Sequence, residues 1–115
     1  MADAPFSRQP WLSAGEIKKI FEALMTYMLC RNRVADFPRW KAVFVSHAAA
    51  HQEAGLRLMH LWRSPEDADN VFFLFEVASM AKAKAFIGDP EAAKAAQSSG
   101  VLDGEYHFLE DAGNY

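Results

Sequence analysis

Between Val34 and Gly55 the positions Phe37, Trp40, Phe44, His47, Ala48 and His51 recur three and four residues apart, so they lie on one stripe of a helix. Asp36 is placed to accept from the first free backbone amides, Pro38 sits in the first turn where its missing N–H costs nothing, and Gly55 suits the left-handed residue that ends a helix. The pattern therefore predicts one helix closing at Gly55. Upstream, Ser13 and Glu16 have the spacing of a capping box, and Ile17, Ile20, Phe21 and Leu24 continue it at helical intervals. That stripe could run on through Met25 and Met28, but the Thr26 and Tyr27 content of Met25–Val34 favours a strand. Downstream, the apolar runs Gly55–Arg63 and Val71–Val77 flank the turn-rich segment Ser64–Asn70 and read as an antiparallel hairpin. Ser79 can cap a helix over Met80–Ile87, and Asp89-Pro90-Glu91 opens an alanine-rich helix that ends near Gly100. A last strand is expected over Glu105–Glu110.

In order, these elements are strand, helix, strand, strand, helix, strand, behind an extra helical arm. That is the split βαβ arrangement of a ferredoxin-like α+β fold, βαββαβ with a four-stranded antiparallel sheet. Residues 1–24 form the arm with its short helix, and residues 25–115 form the domain. Helices cover only one face of such a sheet. In the third strand Val71, Phe73, Phe75 and Val77 fall on one face and Phe72, Leu74 and Glu76 on the other, so even the face carrying the charge is largely apolar. A monomer rarely exposes that much apolar surface, and a second copy packed sheet to sheet about a two-fold axis would cover it. The expectation is a homodimer that closes into an α+β barrel and removes edge strands.

Composition narrows the function classes. The chain has 115 residues, too few for two independent cores. A net charge of −3 with both signs interspersed disfavours a nucleic-acid partner. Apolar stretches are broken by charge before about 18 residues, so no membrane span is expected. The single cysteine, Cys30, cannot form an internal disulfide, and the first ten residues lack the apolar core of a signal peptide. Both features predict a cytoplasmic protein.

The pattern V-x-D-F-x-x-W-x-x-x-F-x-x-H-x-x-x-H-x-x-x-G, followed by the hairpin, L-F-E-V-A-S-M-A-K-A-K-A-F, D-P-E and S-G-V, resembles the dimeric α/β-barrel superfamily. This group includes antibiotic-biosynthesis-monooxygenase-like and stress-responsive A/B-barrel proteins. The similarity spans about Met25–Glu110, and it too implies a strand over Met25–Val34. The same barrel serves cofactor-free monooxygenases, haem-degrading enzymes, isomerases and decarboxylases, so the resemblance implies a fold rather than a reaction. The chain departs from the pattern at His51, where relatives often carry arginine.

Candidate chemistry lies in polar groups on otherwise apolar strands. Tyr27, Arg31 and Asn32 are on the first, His60 and Trp62 on the second, Glu76 on the third and His107 on the fourth. A buried charge must be paired, so Glu76 is expected near Arg31 or a histidine; such a set serves either structural pairing or acid/base work by His60, Glu76 or His107 on a phenolic or enolic substrate. Trp62, Phe72, Leu74 and Tyr27, with Arg31 and Asn32, would line a barrel pocket for a small apolar or aromatic ligand, or fill the dimer core. The first reading makes the protein cofactor-independent and monooxygenase-like, and the alternative is a non-catalytic structural dimer. His47 and His51 stand one helical turn apart, a spacing that can hold a metal, but no third ligand is in view and no metal site is assigned. His47 is expected to cap the stripe and His51 to hydrogen-bond locally. Cys30 is expected to be a buried, inert thiol. No G-x-G-x-x-G, P-loop, C-x-x-C or G-x-S-x-G motif is present, which leaves nucleotide, iron–sulfur and serine-hydrolase chemistry without support.

Overall fold

The computed structural model describes residues 13–17 and 25–113. Two units are distinguished, one of residues 26–109 and one containing the chain ends. In the second unit, Ser13 and Glu16 form the expected capping box. The Ser13 backbone N–H donates to Glu16 Oε1 at 3.0 Å, and the Glu16 N–H donates to Ser13 Oγ at 3.1 Å. The continuation of that helix through Ile20, Phe21 and Leu24 lies outside the described residues.

The larger unit runs β1 (Thr26–Val34), α1 (Phe37–Ser46), α2 (Ala48–Glu53), β2 (Leu56–Arg63), β3 (Asn70–Val77), α3 (Met80–Ile87), α4 (Pro90–Ser98) and β4 (Val101–Glu110). The four strands form one sheet in the order β2-β3-β1-β4, and β3 is antiparallel to both β1 and β2. This is the ferredoxin-like arrangement. Among the described residues no helix is long and apolar enough to cross a membrane.

The caps form where the residue types predict them. Asp36, Ser79 and Asp89 accept through their side chains from the Arg39, Lys82 and Glu91 backbone amides at 3.2, 3.2 and 2.9 Å. Gly55 and Gly100, at φ 73° and 86°, turn the chain into β2 and β4. The expected single helix ending at Gly55, however, is two. At His47 the backbone leaves helical geometry at φ −99°, ψ 15°, and its N–H donates to the Phe44 and Val45 carbonyls. The physical cause is competition for one carbonyl. Both Ser46 Oγ (2.6 Å) and His47 Nδ1 (2.8 Å) donate to Val43 O, the acceptor that an unbroken helix would offer to the His47 amide. The last strand also begins earlier than expected, at Val101 rather than Glu105.

The core lies between the helices and one face of the sheet. Met28, Cys30 and Val34 of β1, Leu56 of β2 and Val71, Phe73, Phe75 and Val77 of β3 are buried there with Trp40 and Ala83 from the helices. Trp40, 2% exposed, stacks on Phe44 at 4.7 Å and meets Phe73 at 5.6 Å. At the edge of this layer Arg63 lies over the Phe37 ring at 3.9 Å.

A bulge in β2 decides what the other face carries. Leu58 opposes Phe75 and His60 opposes Leu74, so Met59 is the extra residue. Strict alternation from Leu56 would put Leu58, His60 and Trp62 on one face, toward the helices. The bulge turns His60 and Trp62 to the helix-free face and brings Leu61 against the core instead.

Candidate functional site

The register gathers most of the sequence-predicted residues on the helix-free face. Tyr27 opposes Glu76, Arg31 opposes Phe72, His60 opposes Leu74 and Trp62 opposes Phe72. His107 joins them through Glu105, which is hydrogen-bonded to Arg31. Asn32 alone points to the opposite face, beside Gly104.

Sharing a face does not make these groups converge. Glu76 pairs with Arg57, its cross-strand neighbour, at 3.1 Å, and not with Arg31 or a histidine as expected. The reason is register: Arg31 sits opposite Phe72, four residues along β3 from Glu76. Arg31 instead donates to Asn70 and Asp103, both at 2.9 Å, and to Glu105 at 3.1 Å. Arg33 pairs with Asp67 at 2.9 Å and approaches Asp103 at 3.9 Å, while His107 Nε2 lies 2.9 Å from Glu105. A ladder of alternating charge thus runs Asp67, Arg33, Asp103, Arg31, Glu105, and His107 hydrogen-bonds to its last carboxylate. Its hydrogen bonds from His107 and Arg31 hold the Glu105 carboxyl below the usual carboxylate range. The β2–β3 half of the face is aromatic, with His60 stacked on Trp62 at 4.8 Å and 12° and Trp62 46% exposed.

A cavity of about 720 Å³ lies on the other side, between the helices and the sheet. That volume is within the range of small-molecule sites, about 300–1,000 Å³. Its walls are Trp40, Phe44 and Phe86 from the helices and Phe73 and Phe75 from β3. Polar groups reach it from His47, His51, Asn32, Tyr106 and Cys30. Of the residues singled out on the strands as catalytic or ligand-binding, only Asn32 lines it.

His51 is the group whose role the sequence concealed. Its ring lies among Phe44, Phe75 and Phe86 at 4.9, 5.1 and 5.6 Å between centroids. The expected local hydrogen bond is not made: among the described residues neither ring nitrogen has a partner, and the half-buried ring lines the cavity. Burial, reinforced by the neighbouring His47, lowers its pKa, so the imidazole is neutral at pH 7. His47 does bond locally; its Nδ1–H donates to Val43 O, which leaves Nε2 as the accepting nitrogen. The signal available in the sequence was the i, i+4 spacing of the two histidines on an aromatic stripe. Among the described residues no three His, Cys, Asp or Glu side chains converge as metal ligands. Burial pushes the Cys30 thiol up to about 12, too high for a nucleophile.

The fold recurs in solved structures. The chain has the fold of the antibiotic biosynthesis monooxygenases. It superposes on SnoaB, a cofactor-independent oxygenase from Streptomyces nogalater, with a TM-score of 0.63 at 14% identity, covering 78% of this chain and 95% of that one. A candidate antibiotic biosynthesis monooxygenase from Caulobacter crescentus gives 0.61 at 19% identity over 85% and 99% of the two chains. A NIPSNAP domain protein from Burkholderia xenovorans gives 0.57 at 14% identity over 76% and 94%. No family model matches the sequence, and comparison with curated proteins finds no match. The monooxygenase fold is therefore established by shape, at identities too low to transfer an activity.

Proposed function

We propose that this protein is a homodimer of the monooxygenase fold that binds a small, flat, largely apolar or aromatic molecule in the cavity of each subunit. We further infer a cofactor-independent, proton-abstracting reaction on a phenolic or enolic substrate. The observation that carries the reading is the cavity of about 720 Å³, walled by Trp40, Phe44, Phe73, Phe75 and Phe86 and lined as well by polar groups, His51 among them. The description of SnoaB as a cofactor-independent oxygenase supports the reaction class. The dimer is supported by the helix-free face, where Trp62 and Leu109 stand 46% and 44% exposed beside Phe72 and Leu74. In this reading the ligand sits behind the sheet, and the face carrying Tyr27, Arg31, Trp62, Phe72 and Leu74 meets the second copy.

The test uses Trp40, which lines the cavity, as the reporter. A W11F/W62F variant keeps it as the chain's one tryptophan. Titration with 2-naphthol should change its emission saturably, and Ala96→Phe, which fills the cavity from α4, should abolish the change. A flat titration, or one that Ala96→Phe leaves intact in a folded protein, would overturn the reading.

A further inference from the structure

Three titratable groups on the strands, His60, Glu76 and His107, are the obvious acid/base candidates, yet each lies on the sheet face away from the cavity. Glu76 is engaged by Arg57 and His107 by Glu105. We propose that His51 is the proton acceptor of the cavity, taking the hydroxyl proton of a bound phenol or enol. This inference rests on the ligand-binding reading of the cavity given above.

The geometry supports it in three ways. First, Phe44, Phe75 and Phe86 hold the ring on three sides, which restricts its rotation and keeps its orientation before a ligand arrives. Second, both ring nitrogens are without a protein partner among the described residues, so a ligand hydroxyl would pair with a free nitrogen of the half-buried ring rather than displace an existing bond. Third, the walls are aromatic, so a flat ring can stack while presenting its hydroxyl to the imidazole.

The step balances without a co-reactant. The ligand O–H bond breaks, the oxygen keeps the electron pair as phenolate or enolate, and the proton forms an N–H bond on His51, giving an imidazolium–oxyanion pair. The oxyanion itself favours the charged ring, against the burial that keeps it neutral in the empty cavity. The other charges lining the cavity are mixed in sign: Glu53 from α2, Lys82 from α3, and Asp89 and Glu91 at the start of α4. Asp89 is held by its cap on the Glu91 amide, and Glu91 pairs with Lys94. His47, on the adjoining turn, opposes a second positive charge. From the strands, Cys30 brings a neutral thiol and Tyr106 its phenol, and Glu105 is paired with Arg31 of the neighbouring strand and with His107 of its own.

The experiment uses 4-nitrophenol, whose yellow band reports its ionisation directly, with Trp40 emission reporting occupancy. Bound to the unmodified cavity, it should ionise about one pH unit below the free compound, so roughly tenfold more phenolate forms at acidic pH. His51→Gln should retain Trp40 quenching and lose that shift, while His47→Gln should keep both. Binding with no shift, a shift that survives His51→Gln, or one lost only in His47→Gln would overturn the assignment and leave the cavity reading standing. Absence of Trp40 quenching in the unmodified cavity would overturn the cavity reading and this assignment with it.

Discussion

Gly104 offers the sharpest test of how β1 and β4 meet. A Cβ built there would lie 2.5 Å from Asn32 Oδ1 and 3.0 Å from the Arg31 carbonyl oxygen. The first distance is far inside van der Waals contact and requires the amide to move. The second involves backbone, which can yield by only a few tenths of an ångström. Forcing a methyl group into a packed site costs about 1–3 kcal/mol, and the more restricted unfolded chain returns about 0.4–1 kcal/mol. Gly104→Ala should therefore lose roughly 1.5 kcal/mol net. With an m value of about 1.5 kcal/mol per molar urea, the midpoint should fall by about 1 M. The mechanism predicts a coupling as well as a loss. Asn32→Ala removes the closest oxygen, so Gly104→Ala in that background should cost less than about 0.5 kcal/mol, an interaction of ~1 kcal/mol in the cycle. Urea unfolding followed by circular dichroism, at one fixed protomer concentration, would measure all four proteins. An alanine that costs nothing, or costs the same whether or not Asn32 is present, would refute the close approach of the two strands.

Removing the α1 cap by Asp36→Ala should cost about 1 kcal/mol in the same assay, since it frees the Arg39 amide. Cys30 should resist alkylation at pH 8 in the folded protein and react promptly in urea, because its thiol is held near 12 by burial; rapid labelling without denaturant would contradict its placement. His51 should give stability a pH dependence of definite sign. Its folded pKa is lowered, so below about pH 6.5 the unfolded chain binds the extra proton. Stability should then fall with pH until the folded pKa is passed, and His51→Gln should flatten that part of the profile; an unchanged slope would place the ring in water. On the ladder, Arg31→Met should raise the Glu105 pKa toward the ordinary carboxylate value, a shift readable by carbon NMR of the carboxyl group.

Much of the fold was legible because its signals are local. A cap needs only a short polar side chain and an amide two or three residues away, so Asp36, Ser79 and Asp89 could be read as they stand. The alternation of Val71–Val77 likewise gave both faces of β3 without any partner strand. Three features were not local. Asp103-Gly104 has the composition of a turn, yet the pair lies inside β4, where the missing side chain lets the strand lie against Asn32. The break at His47 depends on two side chains competing for the Val43 carbonyl. The Met59 bulge exists only in the pairing of β2 with β3.

The candidate site divides the same way. Residue types on the strands suggested polar groups in an apolar interior; in this chain most of them lie on the helix-free face of the sheet, where His60 and His107 are exposed. Whether they converge depended on register, which is set by contacts between residues far apart in sequence. A shift of one position in β2 moved His60 and Trp62 away from the helices, and the register that sets Arg57 opposite Glu76 sets Arg31 opposite Phe72, four residues away along β3. The sequence by itself determined the elements, their caps and the apolar faces, because those follow from neighbours within a turn or a pleat. Only the tertiary structure decided that the cavity lies behind the sheet and that His51 faces it, because helices and strands distant along the chain must pack before either has walls.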